Sequence, residues 1–176
     1  MKLETTKSWI ERCLLEKNEV SNILTQKEVK EITHEVLLDL RSKFAHFVSA
    51  FNDLKTSFLQ NTKGEDLTDQ KEGLSFSFLK PIHIYQVSGK ENGFMLFRKG
   101  HRLVFTPEKP GRIRIQLIKK ENGILSNKID TYINAFSNNI MSIQWTHEDH
   151  KGFVDLETLS RYYMKQFLAE SEKSVN

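Results

Sequence analysis

One stretch constrains this chain more than any other. From about Gln26 to Gln60, the apolar residues fall into a single broad arc when set at 100° per residue. Val29, Ile32, Val36, Leu37, Leu40, Phe44, Phe47, Val48, Phe51, Leu54 and Phe58 all lie in it. Four of the twelve phenylalanines, Phe44, Phe47, Phe51 and Phe58, share its middle. A helix this apolar on one side must bury that side. The second half of the chain reads as strands, which supply a surface to bury it against.

The start of this helix is written in the sequence. Thr25-Gln26-Lys27-Glu28 has the spacing of a capping box, and Leu24 with Val29 has that of a hydrophobic staple. The expected length is about 50 Å at ~1.5 Å per residue. Such a helix either breaks near Ser42 or spans the domain and projects beyond it. Leu40, Phe44, Phe47, Phe51, Leu54 and Phe58 also follow a heptad walk. Leu37 and Val48 widen the stripe past a two-position seam, so packing on a sheet is favoured over a coiled coil. A shorter helix, Thr6 to Val20, with Trp9 and Cys13 on its stripe, is expected before it, giving an N-terminal helical hairpin.

After a polar stretch at Asn61 to Glu72, the period changes from 3.6 to 2. Leu74, Phe76 and Phe78 alternate with serines. Ile82 and Ile84 share a face opposite His83 and Tyr85, and Ile113, Ile115 and Leu117 alternate with Arg112, Arg114 and Gln116. Turn signals recur at Ser88–Gly93, Arg98–His101, Thr106–Gly111, Asn122-Gly123 and Ser137–Asn139. The pattern predicts six or seven short antiparallel strands joined as a meander. Ile124 to Phe136 reads as less regular, with a strand near Lys128–Ile133. Asp155 is placed to cap a final helix whose face is Leu156, Leu159, Tyr163 and Phe167. The fold class is therefore α+β: an N-terminal helical region (1–60), a polar linker (61–72), and an antiparallel sheet with a C-terminal helix packed on it (73–176). The long helix and the sheet are expected to fold as one cooperative unit.

Charge is uneven. Residues 1–72 carry 11 cations and 13 acids, a net −2; residues 73–154 carry 12 and 6, a net +6; residues 155–176 carry 3 and 4, a net −1. Within the basic segment, Arg98, Lys99, Arg102, Arg112, Arg114, Lys119 and Lys120 could contact phosphates, with Tyr85 or His101 stacking on bases. The same excess could instead serve attraction between sheet and helices. A pI near 8.9 is only mildly basic.

Catalytic and cofactor signatures do not emerge. There is no nucleophile elbow, P-loop, HExxH or dinucleotide fingerprint. His147-Glu148-Asp149-His150 has metal-binding residue types, but an i, i+3 pair in a loop lacks the geometry to aim both rings, and no distant third ligand is indicated. It is read as a polar turn, and no metal or cofactor is expected. Cys13, the lone cysteine, precludes an internal disulfide. No apolar run approaches the ~20 residues of a transmembrane helix, and the charged N-terminus does not resemble a secretory signal. A cytoplasmic, membrane-independent protein is expected. The leading functional reading is a non-enzymatic interaction module. It would contact another protein or a second copy of itself through Phe44, Phe47, Phe51, Leu54 and Phe58. Nucleic-acid binding by the basic sheet is the alternative, and an enzyme with no recognisable motif the third reading.

Overall fold

The computed structural model describes residues 24–62, 80–121, 123–137 and 143–173. Helix α1 (Gln26–Thr62) is followed by strands β1 (His83–Gln86), β2 (Phe94–Arg98), β3 (His101–Lys109), β4 (Arg112–Glu121), β5 (Ile124–Ser137) and β6 (Ile143–His147), then by helix α2 (Leu156–Glu172). The strands form one antiparallel sheet in the order β1-β2-β3-β4-β5-β6, a pure meander. Each strand pairs with its sequence neighbour, as short turns dictate. The expected helix at 6–20 and the alternating segment 73–79 lie outside the described residues.

Register sorts the strand residues onto two faces. Ile84, Leu96, Leu103, Leu117 and Ile129 align across one row, and Gln86, Phe94, Phe105, Ile115 and Thr131 across the next. Pro107, Ile113, Ile133 and His147 make a third. Most of these side chains join Leu37, Leu40, Phe44 and Val48 of α1 and Leu159, Tyr163, Met164 and Phe167 of α2 in one core. Both helices therefore cover the same face. The Phe44 ring sits 5.0 Å from Phe105 and 5.8 Å from Phe94, while Tyr163 meets Phe105 edge-on at 6.0 Å.

Helix α1 is unbroken at Ser42, and its buried positions explain why. Thr33, Leu37, Leu40, Phe44 and Val48 are spaced 4-3-4-4, the drift of a straight 3.6-residue helix on a flat surface rather than a heptad seam. The capping box forms as expected: the Thr25 amide donates to the Glu28 carboxylate at 2.7 Å, and the Glu28 amide donates to the Thr25 hydroxyl at 3.2 Å. That contact holds the Glu28 carboxyl below its usual range. Asp155 caps α2, accepting from the Thr158 amide at 2.9 Å, and its carboxyl is likewise held low.

Polar ties set α1 on the sheet and on α2. Thr33, fully buried, donates its hydroxyl proton to the Val29 carbonyl at 2.6 Å and accepts the Gly111 amide at 2.8 Å. Gly111 has φ +76, and a Cβ there would meet Val29 Cγ1 at 3.2 Å and Ala135 Cβ at 3.3 Å, so the β3–β4 turn needs glycine on both counts. Lys43 reaches Glu157 at the start of α2 at 3.4 Å. Asn52 grips the segment before β1 with both ends of its amide. It donates to the Ile82 carbonyl at 3.0 Å and accepts the Ile82 amide at 3.1 Å.

Several details differ from the sequence reading: the turns read at Arg98–His101 and Thr106–Gly111 are narrower, because β2 runs to Arg98 and β3 spans His101–Lys109. The region read as irregular is a single 14-residue strand, β5. A register shift opposite Leu117/Ile118 absorbs its irregular pattern. The closing strand takes in His147, which the sequence reading assigned to the following loop.

Candidate interaction surface

The five aromatic and aliphatic positions proposed for partner contact divide along α1. Phe44 is fully buried, so it is core and cannot contact a partner in the folded protein. Phe47 and Phe51 are half-buried against the core cluster. Leu54 is 65% exposed. The side chain of Phe58 lies outside the described ones. The division falls at Asn52, the last side chain of α1 with a described tie to the sheet side. From Asn52 the helix continues to Thr62, a run of about 15 Å at ~1.5 Å per residue. Asp53, Leu54, Thr56 and Ser57 on this run are exposed.

The basic set is distributed differently from the expectation. Arg98 was placed in a surface turn, but it is the last residue of β2 and is fully buried. Its Nε donates to the Lys80 carbonyl at 3.1 Å, and its Nη1 donates to Ser171 Oγ at 2.9 Å and pairs with the Glu172 carboxylate. Its guanidinium lies over the Phe51 ring, 4.8 Å from the centroid. Lys99 also pairs with Glu172, at 3.1 Å. These cations sit at the C-terminal turn of α2, where the helix dipole favours positive charge. Phe51 and Ser171 both meet Arg98, while Lys43 meets Glu157, so the two helices run in the same direction.

Arg112 and Arg114 do point from the face opposite the helices, as the alternation predicted. Arg112 pairs with Glu108 and with Glu148, both at 3.0 Å, and stacks on Tyr132 at 3.8 Å. Arg114 makes a two-pronged contact with Asp130 at 2.8 and 2.6 Å. This contact raises the Arg114 value and lowers the Asp130 carboxyl below its ordinary range. Arg102 lies on the same face between Phe97 and Ile118, and Lys119 shares a row with His101. Lys120 is exposed next to the β4–β5 turn, opposite Leu125. At least four of the seven named cations are thus engaged by carboxylates of the same chain. His101, offered as a stacking residue, is buried; Tyr85 is 46% exposed on the outer face.

The β6–α2 turn holds groups that the sequence reading treated as a plain polar loop. His147 is 4% exposed. Its Nδ1 accepts the Asp149 amide at 3.0 Å, and its Nε2 bonds the Tyr163 hydroxyl on α2. An amide can only donate, so Nδ1 is unprotonated and Nε2 carries the proton that goes to Tyr163. The ring then has no lone pair left for a metal. Among the described residues, no group of three or more histidines, cysteines or carboxylates could hold a metal ion. The signal that could have found this pair is the apolar face of α2 itself, on which Tyr163 carries a hydroxyl into the core and requires a partner.

A cleft of about 250 Å³ lies among the first turns of α1, the β1–β2 turn and the β3–β4 turn. Part of its polar wall is engaged within the cleft. Lys30 and His34 both face Glu91, at 3.3 and 3.4 Å, and Thr33 serves Gly111. Nothing there pairs a nucleophile with a base. No described helix is long and apolar enough to cross a membrane. No protein-family model matches the chain, and neither a curated protein nor a solved structure matches it.

Proposed function

We propose that this α+β protein is a non-enzymatic protein–protein interaction module, in which the sheet and α2 hold α1 and the distal turns of α1 meet the partner. The observation that carries this reading is Leu54, 65% exposed on a helix that continues past its Asn52 anchor. A bulky aliphatic held in water by a rigid helix is a ready anchor for a partner's apolar groove, in the helix-in-groove manner. Against a catalytic reading stands the cleft beside α1, where Lys30 and His34 both face Glu91 and no nucleophile is paired with a base. Against a phosphate-binding reading stands the engagement of Arg98, Lys99, Arg112 and Arg114 by Glu172, Glu108, Glu148 and Asp130.

Site-specific photo-crosslinking tests the proposal. A photoreactive phenylalanine at position 54 is expected to capture a discrete species, either a second copy of the chain or another protein of the host. The same probe at the exposed position 165 of α2 is expected to give none. Size-exclusion chromatography with light scattering separates the two kinds of partner. Equal labelling from both positions, or none from position 54 at any concentration, would rule the proposal out.

A further inference from the structure

We propose that His147 is a proton-operated latch: its neutral ring ties the β6–α2 turn to Tyr163, and its protonation frees that turn and the first half of α2 while the sheet stays folded. The geometry sets the logic. In the closed state Nδ1 must be an acceptor, because the Asp149 amide points at it from 3.0 Å. A proton on Nδ1 would set two N–H groups against each other in a site from which water is largely excluded. The ring can then rotate and lose Tyr163, or the Asp149 peptide can turn away. Either movement undoes the turn, which also depends on the His150 amide reaching the His147 carbonyl at 3.4 Å.

The surroundings oppose the charged ring on balance. The His150 ring lies 4.6 Å away and disfavours a charge on His147. Tyr163 faces the ring from α2 and stays neutral, burial pushing its phenol above the ordinary value; Tyr162 packs on both Tyr163 and His150. Glu148 and Asp149, on the same turn, favour the imidazolium. Glu148, however, is already held by Arg112 of β4 and accepts from Asn134 of β5. Burial dominates and holds His147 below its ordinary 6.5. In the open turn the ring returns to about 6.5. The sign follows: above that value both states carry a neutral ring and the latch is at full strength. As pH falls below it, the open state takes up protons that the closed state refuses, and the latch weakens. With the closed ring neutral throughout, the open population at pH 5 rises by up to about 30-fold. Phe44 packs on Phe94 and Phe105 through rings that carry no titrating group, so this part of the core does not respond to the proton directly.

Two measurements on the full chain decide the matter. NMR titration is expected to place His147 below 6.5. Hydrogen exchange, corrected for intrinsic rates, is expected to show amides 148–166 losing protection by about 5- to 30-fold between pH 7.5 and pH 5, with strands β2–β4 unchanged. In His147→Gln that pH dependence should vanish, and in His150→Gln it should persist. A His147 titration at or above 6.5 overturns the latch. So do equal protection of α2 at both pH values, loss of the effect in His150→Gln, and its survival in a folded His147→Gln protein. Should His147→Gln not fold, the titration and exchange of the unaltered protein still decide.

Discussion

Phe44 and Leu54 lie ten positions apart on one helix, and the structure assigns them opposite roles. Phe44→Ala removes a ring with no solvent exposure that touches Phe47, Phe94 and Phe105. The lost transfer energy and the cavity left behind together cost about 3–5 kcal/mol. Against a typical total of ~5–15 kcal/mol, and at ~2–4 °C per kcal/mol for a chain of this size, the midpoint should fall by at least ~6 °C. Leu54→Ala removes a side chain of which only about a third is covered. A full Leu is worth ~1.5–3 kcal/mol, so the change costs under ~1 kcal/mol, and the better helix propensity of Ala offsets part of that. Urea denaturation followed by circular dichroism measures both variants. Similar losses in the two would mean that the distal helix is packed as tightly as the middle. A Phe44→Ala loss below ~1 kcal/mol would mean that α1 is not seated on the sheet. Either result removes the basis for placing the partner surface beyond Asn52.

Asn52→Ala strips both bonds from the Ile82 backbone and should cost ~1–3 kcal/mol; thermal unfolding checks it, and Asn52→Asp should restore only part because it cannot donate to the Ile82 carbonyl. Arg98→Met should destabilise by roughly 3 kcal/mol or more, since it deprives Lys80, Ser171 and Glu172 of their shared partner; Arg98→Lys should not rescue, because an ammonium cannot reproduce the planar fork. Gly111→Ala should cost ~1–3 kcal/mol from its positive φ and from the contacts with Val29 and Ala135, read by denaturant midpoint. Asp130→Asn combined with Glu148→Gln should leave the melting point within a few degrees and yet raise the salt needed to elute the protein from heparin, because it unmasks Arg114 and removes one of the two carboxylates on Arg112.

Much of the architecture was legible because it rests on local rules. Thr25 and Glu28 close a box over three residues, Asp155 reaches an amide three residues on, and short turns force neighbouring strands to pair. The stripe on α1 announced a buried face, and the alternation of Ile113, Ile115 and Leu117 announced the surface beneath it. The ties between distant elements were not legible. Nothing local to Asn52 points to Ile82, and nothing local to Thr33 points to Gly111. Arg98 looked like a turn residue, because basic side chains beside Lys99-Gly100 are ordinarily solvated. Only the meander, by setting β2 beneath the end of α2, brings Ser171 and Glu172 within its reach. His147 was hidden for a related reason. A histidine at a strand end is unremarkable until a helix delivers a tyrosine to it.

The charge pattern illustrates the same limit and bears on function. Counting residues gave a sheet segment of +6 facing acidic helices, compatible with either a phosphate partner or internal attraction. Placement supports internal attraction for the cations it pairs with carboxylates. The carboxylates that engage the arginines come from three different sources: Glu172 on α2, Glu108 and Asp130 on neighbouring strands, and Glu148 on the β6–α2 turn. A surface evolved to hold phosphates would leave its guanidinium forks open, since each internal carboxylate must be displaced before a phosphate can bind. Here the forks are used to fasten the helix end and to brace the outer face. Exposed apolar side chains occur on both layers: Ile124 and Leu125 flank the β4–β5 turn and Phe136 packs on Phe153, whereas Leu54 stands on a helix that runs on past its Asn52 anchor, and that continuation is why the helix is assigned to the partner.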